Sequence, residues 1–288
     1  MLVGLAVGKR ESRPWIVSEE LWWSIEPLLP IPAPKLKPGR PRVPDRQALC
    51  GILFVLHTGI QWEYLPQELG FGSGMTCWRR LKAWNKAGVW DRLHVILLER
   101  LRAAKQLDWS RPVIDPSHVR AARRGPKAGP ARSTAQQAPP DGQGIPPAIS
   151  LTGGNCNDVT QVIPLLKKIP SVSGLVGRPR KRPDSLLGDR GYDHDKYRRL
   201  VGATGVKPVI ARRGVPHGSG LGIHRWVVER TIAWLHGFRR LRIRWERRDE
   251  IHEAFLGLAT CLITPRHVQR LCQDLLDNNV RPVVWFDN

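Results

Sequence analysis

At 288 residues and 41% hydrophobic content, the chain is long enough for two domains and a sizeable core, which excludes wholesale disorder. Its 46 Lys and Arg against 25 Asp and Glu leave a formal net charge of +21, so a polyanionic partner is expected, nucleic acid before a membrane surface. No apolar run approaches the ~18–20 residues of a spanning helix, and no small-molecule substrate is indicated. The opening MLVGLAVGKRES has no basic leader or cleavage signal and reads as an extension over residues 1–13. Five scattered cysteines, Cys50, Cys77, Cys156, Cys261 and Cys272, make no Cys-x-x-Cys pair. That pattern argues against zinc and a disulfide scaffold and for a reducing, cytoplasmic compartment.

Residues 14–106 read as a small all-helical domain. Ser18 caps a first helix whose apolar face is Leu21, Trp22, Ile25 and Leu28. The loop PIPAPKLKPGRPR is an extended cationic linker, in which Arg40 and Arg42 would lie along a DNA groove. Asp45 opens a second helix, with Leu49, Ile52, Leu53 and Leu56 inside and Gly59 past its end. Thr76 is expected to cap a third, with Trp78, Leu81 and Trp84 inward and Arg79, Arg80, Lys82 and Lys86 outward; a fourth spans residues 89–105. This order is that of a helix-turn-helix DNA reader, although the connection over residues 59–75 exceeds the usual turn and a basic outer face also suits plain solvation.

From Trp109 onward short apolar runs alternate with helices, which implies a sheet with parallel members. Strands are expected at PVID (112–115), 149–152, SLLGD (185–189) and KPVIA (207–211). Asp158 is expected to cap a helix carrying Val162, Leu165, Leu166 and Ile169, and another helix spans 193–203. Asp115 and Asp189 fall at strand ends, where such sheets gather their functional residues. A helix over residues 223–236 follows. Between Lys196 and Trp245 there are twelve Lys or Arg and a single carboxylate, Glu229, set among Trp226, Val227, Val228 and Ile232. That helix should be largely buried, and a buried acid needs a partner, a network or a metal. Arg225 and His236 share its face.

Two strand-end aspartates and a helix glutamate in a basic domain are what a two-metal phosphoryl-transfer site needs, because hard divalent ions bind through carboxylate oxygen. Each acid also has a plainer reading. Asp115 suits a turn before Pro116, Asp189 suits a pair with Arg190 or a loop cap, and Glu229 suits an ion pair with Arg225 contributing ~0.3–0.5 kcal/mol.

The blocks VIDPSHVRAARRGPKAGP, LTGGNCNDVTQVIPLL, GDRGYDHDKYRRL, PVIARRGVPHGSGLG and RWVVERTIAWLHGFRRLRIRWERR closely resemble, in order, bacterial insertion-sequence transposases of the DDE type, insertion-sequence-five group. GRPRVPDRQALCGILFVLHTGIQWEYLP resembles the helical domain at their front. The resemblance spans residues 15–263. It implies an α/β, ribonuclease H-like mixed sheet with flanking helices over residues 109–264, preceded by the small helix-turn-helix-like domain and followed by a tail over 265–288. It implies Asp115, Asp189 and Glu229 as the catalytic and metal-binding acids, with Mg²⁺ or Mn²⁺, and Arg225 as the family's Arg four residues before the Glu. His236 stands where relatives have Lys, and Gly222 where they have Tyr. The activity implied is strand cleavage and transfer at terminal inverted repeats in double-stranded DNA, by a homodimer in the bacterial nucleoid. Arg239, Arg240 and Arg242 join Arg40, Arg42, Arg79, Arg80 and Lys82 as expected DNA contacts.

One departure stands out. Where relatives carry a second apolar strand before an Asp-Gly turn, this chain has ARSTAQQAPPDGQGIPP. Asp141-Gly142 keeps the turn, but residues 131–140 have no apolar alternation and two prolines, so no central strand is expected there. The alternative function is then an impaired transposase remnant that only binds DNA.

Overall fold

The computed structural model describes residues 13–278 other than 33, 35–38, 40, 115, 124, 128–132, 138–140 and 216–220, and for 133–137, 221–225 and 265–278 the backbone path alone. Asp115 and Arg40 therefore lie outside the described residues, as does the side chain of Arg225.

Four helices open the chain. In α1 (Glu19–Ile25) the Ser18 hydroxyl accepts the Leu21 N–H at 3.3 Å, the cap expected of it. In α2 (Asp45–Thr58) the apolar face Leu49, Ile52, Leu53 and Leu56 is buried, and Gly59 stops the helix in the left-handed region at φ +77°. The cap of α3 (Gly74–Lys86) is Ser73, whose hydroxyl accepts the Thr76 N–H at 3.2 Å. Thr76 thus lies inside the helix, because Ser73 reaches the same free N–H one turn earlier. Helix α4 (Val89–Ala103) follows after Gly88 at φ +68°.

The strands are β1 (Val113–Ile114), β2 (Pro116–Ala121), β3 (Ser133–Gln137), β4 (Ser150–Gly153), β5 (Ser185–Gly188), β6 (Lys207–Ile210) and β7 (Ile243–Arg244). Between them run α5 (Val162–Lys168), α6 (Asp195–Ala203) and α7 (Leu221–Gly237), and α8 (Asp249–Asn278) closes the described chain. Asn157, not Asp158, caps the turn leading into α5, by accepting the Val159 N–H at 3.3 Å. Strands β1, β5 and β6 pair in parallel in the order β1-β5-β6, and a second sheet has the order β4-β3-β2-β7. A mixed α/β body behind a helical N-terminal region is consistent with a ribonuclease H-like fold.

The segment expected to hold no strand contains β3. It pairs antiparallel with β2 (His118 opposite Ala135) and with β4 (Gln136 opposite Leu151), so it is an inner strand. The ladder is made by backbone groups, and Ser-Thr-Ala-Gln-Gln offers all of its N–H donors. Pro139 and Pro140 come after the last paired residue and remove nothing from it.

Two main cores hold the molecule. Leu98, Leu101, Ile114, Val162, Leu165, Leu186 and Ile210 belong to the one beneath the parallel strands. The helical region shares the other with the C-terminal half: Leu53, Leu81, Trp84 and Trp90 sit in one cluster with Phe238, Leu241, Phe255 and Leu258. Trp62 stacks on Phe255 with ring centroids 5.5 Å apart. Val113, Leu187 and Val228 form a third, smaller cluster, with Val209 and Ile232 packed against it.

The candidate active site and the basic surface

The site begins with strand register. Val113 pairs with Leu187 and Ile114 with Gly188, so β1 and β5 run side by side and end level. The residue after Gly188 is Asp189, exposed, whose Oδ1 accepts the Gly191 N–H at 2.8 Å and thereby caps the short turn Arg190–Tyr192. The residue after Ile114 is Asp115, outside the described residues.

Helix α7 lies against the same strands. Its Val228 and Ile232 pack on Val113, Leu187 and Val209, which places the neighbouring Glu229 on the solvent side of that contact. Glu229 is exposed, contrary to the expectation of a buried acid. The helix is not apolar all round: Val227, Val228, Thr231 and Leu235 are buried while Trp226 is 49% exposed. His236 is half-buried, and its Nε2 shares a 3.4 Å hydrogen bond with Ser117 Oγ on β2. Burial, and then Arg242, lowers the His236 pKa below its usual value.

Sequence reasoning missed what holds α7 in place. Thr231 Oγ1 donates to the Gly144 carbonyl at 2.6 Å, and Arg230 donates to that of Gln143. Arg230 also lies between two rings, 4.4 Å from the Trp226 centroid and 4.9 Å from that of Trp234. The loop receiving these bonds is the Asp141-Gly142 turn. Asp141 is buried, and its carboxylate accepts N–H groups of Asp108 (3.0 Å), Gln143 (2.9 Å) and Ile145 (2.7 Å). Burial pushes its pKa up to about 7 against the pull of those donors. The dipeptide signalled a turn, but not that the acid was buried under the helix of Glu229.

The expected DNA contacts separate into two kinds. Arg79, Arg239 and Arg242 are exposed, although Arg242 Nε donates to the His236 carbonyl at 2.6 Å. Arg42 is held by Asp45 at 3.0 Å, and Lys82 by Glu250 at 3.3 Å. Arg80 points inward rather than out: it pairs with Asp45 and donates to the Val43 carbonyl at 3.2 Å, tying α3 to the start of α2. Arg240 is buried, with its guanidinium 2.5 Å from Glu246 and hydrogen-bonded to the carbonyls of Gly59 (3.2 Å) and Ile60 (2.8 Å). It is a structural cation, turned inward because the end of α2 offers carbonyls that lack helical partners. Between the helical region and the sheet edge lies a cleft of about 510 Å³, lined by Gln61, Trp62, Met75, Arg123 and Trp245 among others.

The donor set fits a hard divalent ion in kind. Asp189 and Glu229 are exposed oxygen donors, and Asp189 Oδ2 accepts no hydrogen bond among the described residues. No group of three His, Cys, Asp or Glu that could hold a metal occurs among the described residues, from which Asp115 is missing.

The described part of the site is thus an exposed Asp189 at the end of β5, with the exposed Glu229 on the helix packed against the same strands, in a strongly basic chain. The comparisons give its class. Residues 112–264 match the family "Transposase DDE domain", and residues 17–94 match "Putative transposase of IS4/5 family". The chain belongs to the DDE transposase family. It is 50% identical over 167 residues to the "Putative transposase for insertion sequence element IS402" of Burkholderia cepacia, covering 58% of this chain and 75% of that one. It is 58% identical over 116 residues to the "Insertion element IS402 uncharacterized 16.2 kDa protein" of the same organism, covering 40% and 79%. No helix among the described residues is long and apolar enough to cross a membrane.

Proposed function

We propose that this chain is a transposase of the insertion-sequence-five group that binds the terminal inverted repeats of its element as a homodimer in the nucleoid, and cleaves and joins DNA strands there with Mg²⁺ or Mn²⁺. The observation that carries the reading is the level ending of β1 and β5, with α7 packed across both. Asp115, Asp189 and Glu229 would hold the ion. A divalent ion held by these carboxylates would supply neutralisation of the charge that develops on a phosphate during an in-line displacement.

The chain's own groups do the positioning. The Gly191 N–H fixes the Asp189 carboxylate at the strand end. Thr231 and Arg230 lock α7 to the 141–145 turn and so set where Glu229 stands. Arg225, one helical turn before Glu229, supplies positive charge for the DNA backbone. His236, fixed near Ser117, sits where a neutral imidazole can accept or donate a hydrogen bond at that backbone. Arg79, Arg239 and Arg242 are proposed phosphate contacts, with Arg40 and Arg42 laid along a groove.

The test uses the full-length protein and a duplex carrying the element's repeat ends. Cleavage at the repeat boundary with Mg²⁺, absent with EDTA and absent in Asp189→Asn, is expected. Binding without cleavage under either metal would leave only a DNA-binding remnant.

A further inference from the structure

A hairpin far from the acids carries features that the cleavage site does not use. Between α5 and β5, Val172 and Arg180 exchange two backbone hydrogen bonds of 2.8 Å each. The base of this hairpin is clamped on α4. Arg102 donates to the Val172 carbonyl and, at 3.3 Å, to that of Arg178, while the Ser173 N–H donates to Glu99 Oε1 at 3.2 Å. Gly174, at φ +114°, lies so close to α4 that a Cβ there would run into the Glu99 carbonyl. Val172 is wholly buried. Arg180 is committed as well, 5.7 Å from the Trp109 ring centroid and 2.5 Å from Asp184.

The tip is the opposite in character. Val176 is fully exposed and Leu175 is 43% exposed. Arg178 follows the tip, Lys181 and Arg182 come directly after the Val172–Arg180 base, and all three are exposed and pair with no carboxylate among the described residues. Further exposed cations stand at the same end of the sheet: Lys167 and Lys168 finish α5, and Lys207 opens β6 level with Ser185. The hairpin leads into β5 at Ser185, whereas Asp189 follows its last residue, so the hairpin and Asp189 flank opposite ends of that strand.

We propose that the hairpin over residues 171–182 is a second duplex-DNA contact. In it Leu175 and Val176 press into a minor groove while Arg178, Lys181 and Arg182 hold the flanking phosphates. An aliphatic tip followed by a cationic strand, on a base clamped to α4, has the chemistry of an apolar wedge that bends a duplex, and the charge of that strand favours DNA over a protein partner. The inference rests on the DNA reading above. It adds that the duplex touches the end of the sheet away from the acids, so that a bent duplex or a second segment reaches there.

The experiment compares the full-length parent with two variants on a duplex carrying one repeat end. Affinity is measured over a salt series and bending by energy transfer between the duplex ends, with folding checked by circular dichroism. Replacing Arg178, Lys181 and Arg182 together by Ala should make the salt slope shallower by ~2–3, because each phosphate contact adds about 0.9. Leu175→Ser with Val176→Ser should keep the slope, weaken binding roughly tenfold through lost apolar burial, and abolish the bend. A parent that binds and bends DNA while both folded variants match it overturns this inference alone. A parent that binds no DNA overturns the inference together with the transposase reading. Changes confined to self-association in sedimentation would make the tip a protein contact, which also overturns it.

Discussion

Ile114 and Gly188 are Cα partners on adjacent parallel strands, so β1 and β5 end at the same level beneath α7. Catalysis and stability should separate at Glu229, which is exposed. Glu229→Gln should leave the melting temperature and DNA affinity near those of the parent, since surface substitutions usually stay within about 0.5 kcal/mol. Metal-dependent strand cleavage should vanish. Retained cleavage would reduce Glu229 to an ordinary helix acid.

Arg240→Ala should cost about 3–5 kcal/mol in denaturant unfolding, because it strands Glu246 in the interior and frees the Gly59 and Ile60 carbonyls. A double variant, Arg240→Met with Glu246→Leu, should recover much of that loss. A mild Arg240→Ala variant with a specific DNA-binding defect would restore Arg240 to the DNA surface.

The neighbours Arg79 and Arg80 should behave differently. Arg79→Ala should weaken DNA binding and leave stability within about 0.5 kcal/mol of the parent. Arg80→Ala should instead destabilise the helical region, since it breaks the link to Asp45 and Val43. Unfolding curves and binding isotherms on the two variants check this, and equal binding losses at equal stability would contradict it.

Thr231→Val removes the 2.6 Å bond to the Gly144 carbonyl in a buried place. A loss of about 1–3 kcal/mol is expected. At a temperature where the variant is folded, cleavage should fall more than DNA affinity, because Glu229 shifts with α7. Unchanged cleavage would show that the turn does not position the helix.

Stability should also follow pH with a defined sign. Burial depresses the pKa of His94 to about 4 and of His252 to about 3, from 6.5. Below about pH 6.5 the unfolded chain therefore binds two protons that the folded chain refuses, and stability falls as pH falls. Asp141 acts oppositely: raised from 3.8 to about 7, it keeps a proton in the folded state between those values, so stability falls as pH rises through that window. Between pH 5 and 6 these three groups leave a net of about one proton, or about 1.4 kcal/mol per unit favouring the higher pH, and the lowered His236 adds in the same direction. Asp141→Asn should steepen that slope by about 1.4 kcal/mol per pH unit in chemical denaturation, and an unchanged slope would place Asp141 as an ordinary ionised carboxylate.

Much of this protein was legible in its sequence because local chemistry decides it. The Ser18 cap, the Gly59 stop, the buried face of α2 and the strands at 185–188 and 207–210 follow from spacing, capping and apolar runs that need no distant partner. Asp189 was legible as an acid at the end of an apolar strand. Tertiary structure decided the rest, since it depends on which groups meet across long separations. Strand β3 forms from a polar segment because β2 and β4 flank it and supply its hydrogen bonds. Arg80 and Arg240 look identical in sequence to their exposed neighbours, yet carboxylates and carbonyls brought from elsewhere in the chain turn them inward. Glu229 reads as buried from its apolar neighbours and is exposed because only one side of α7 meets the sheet.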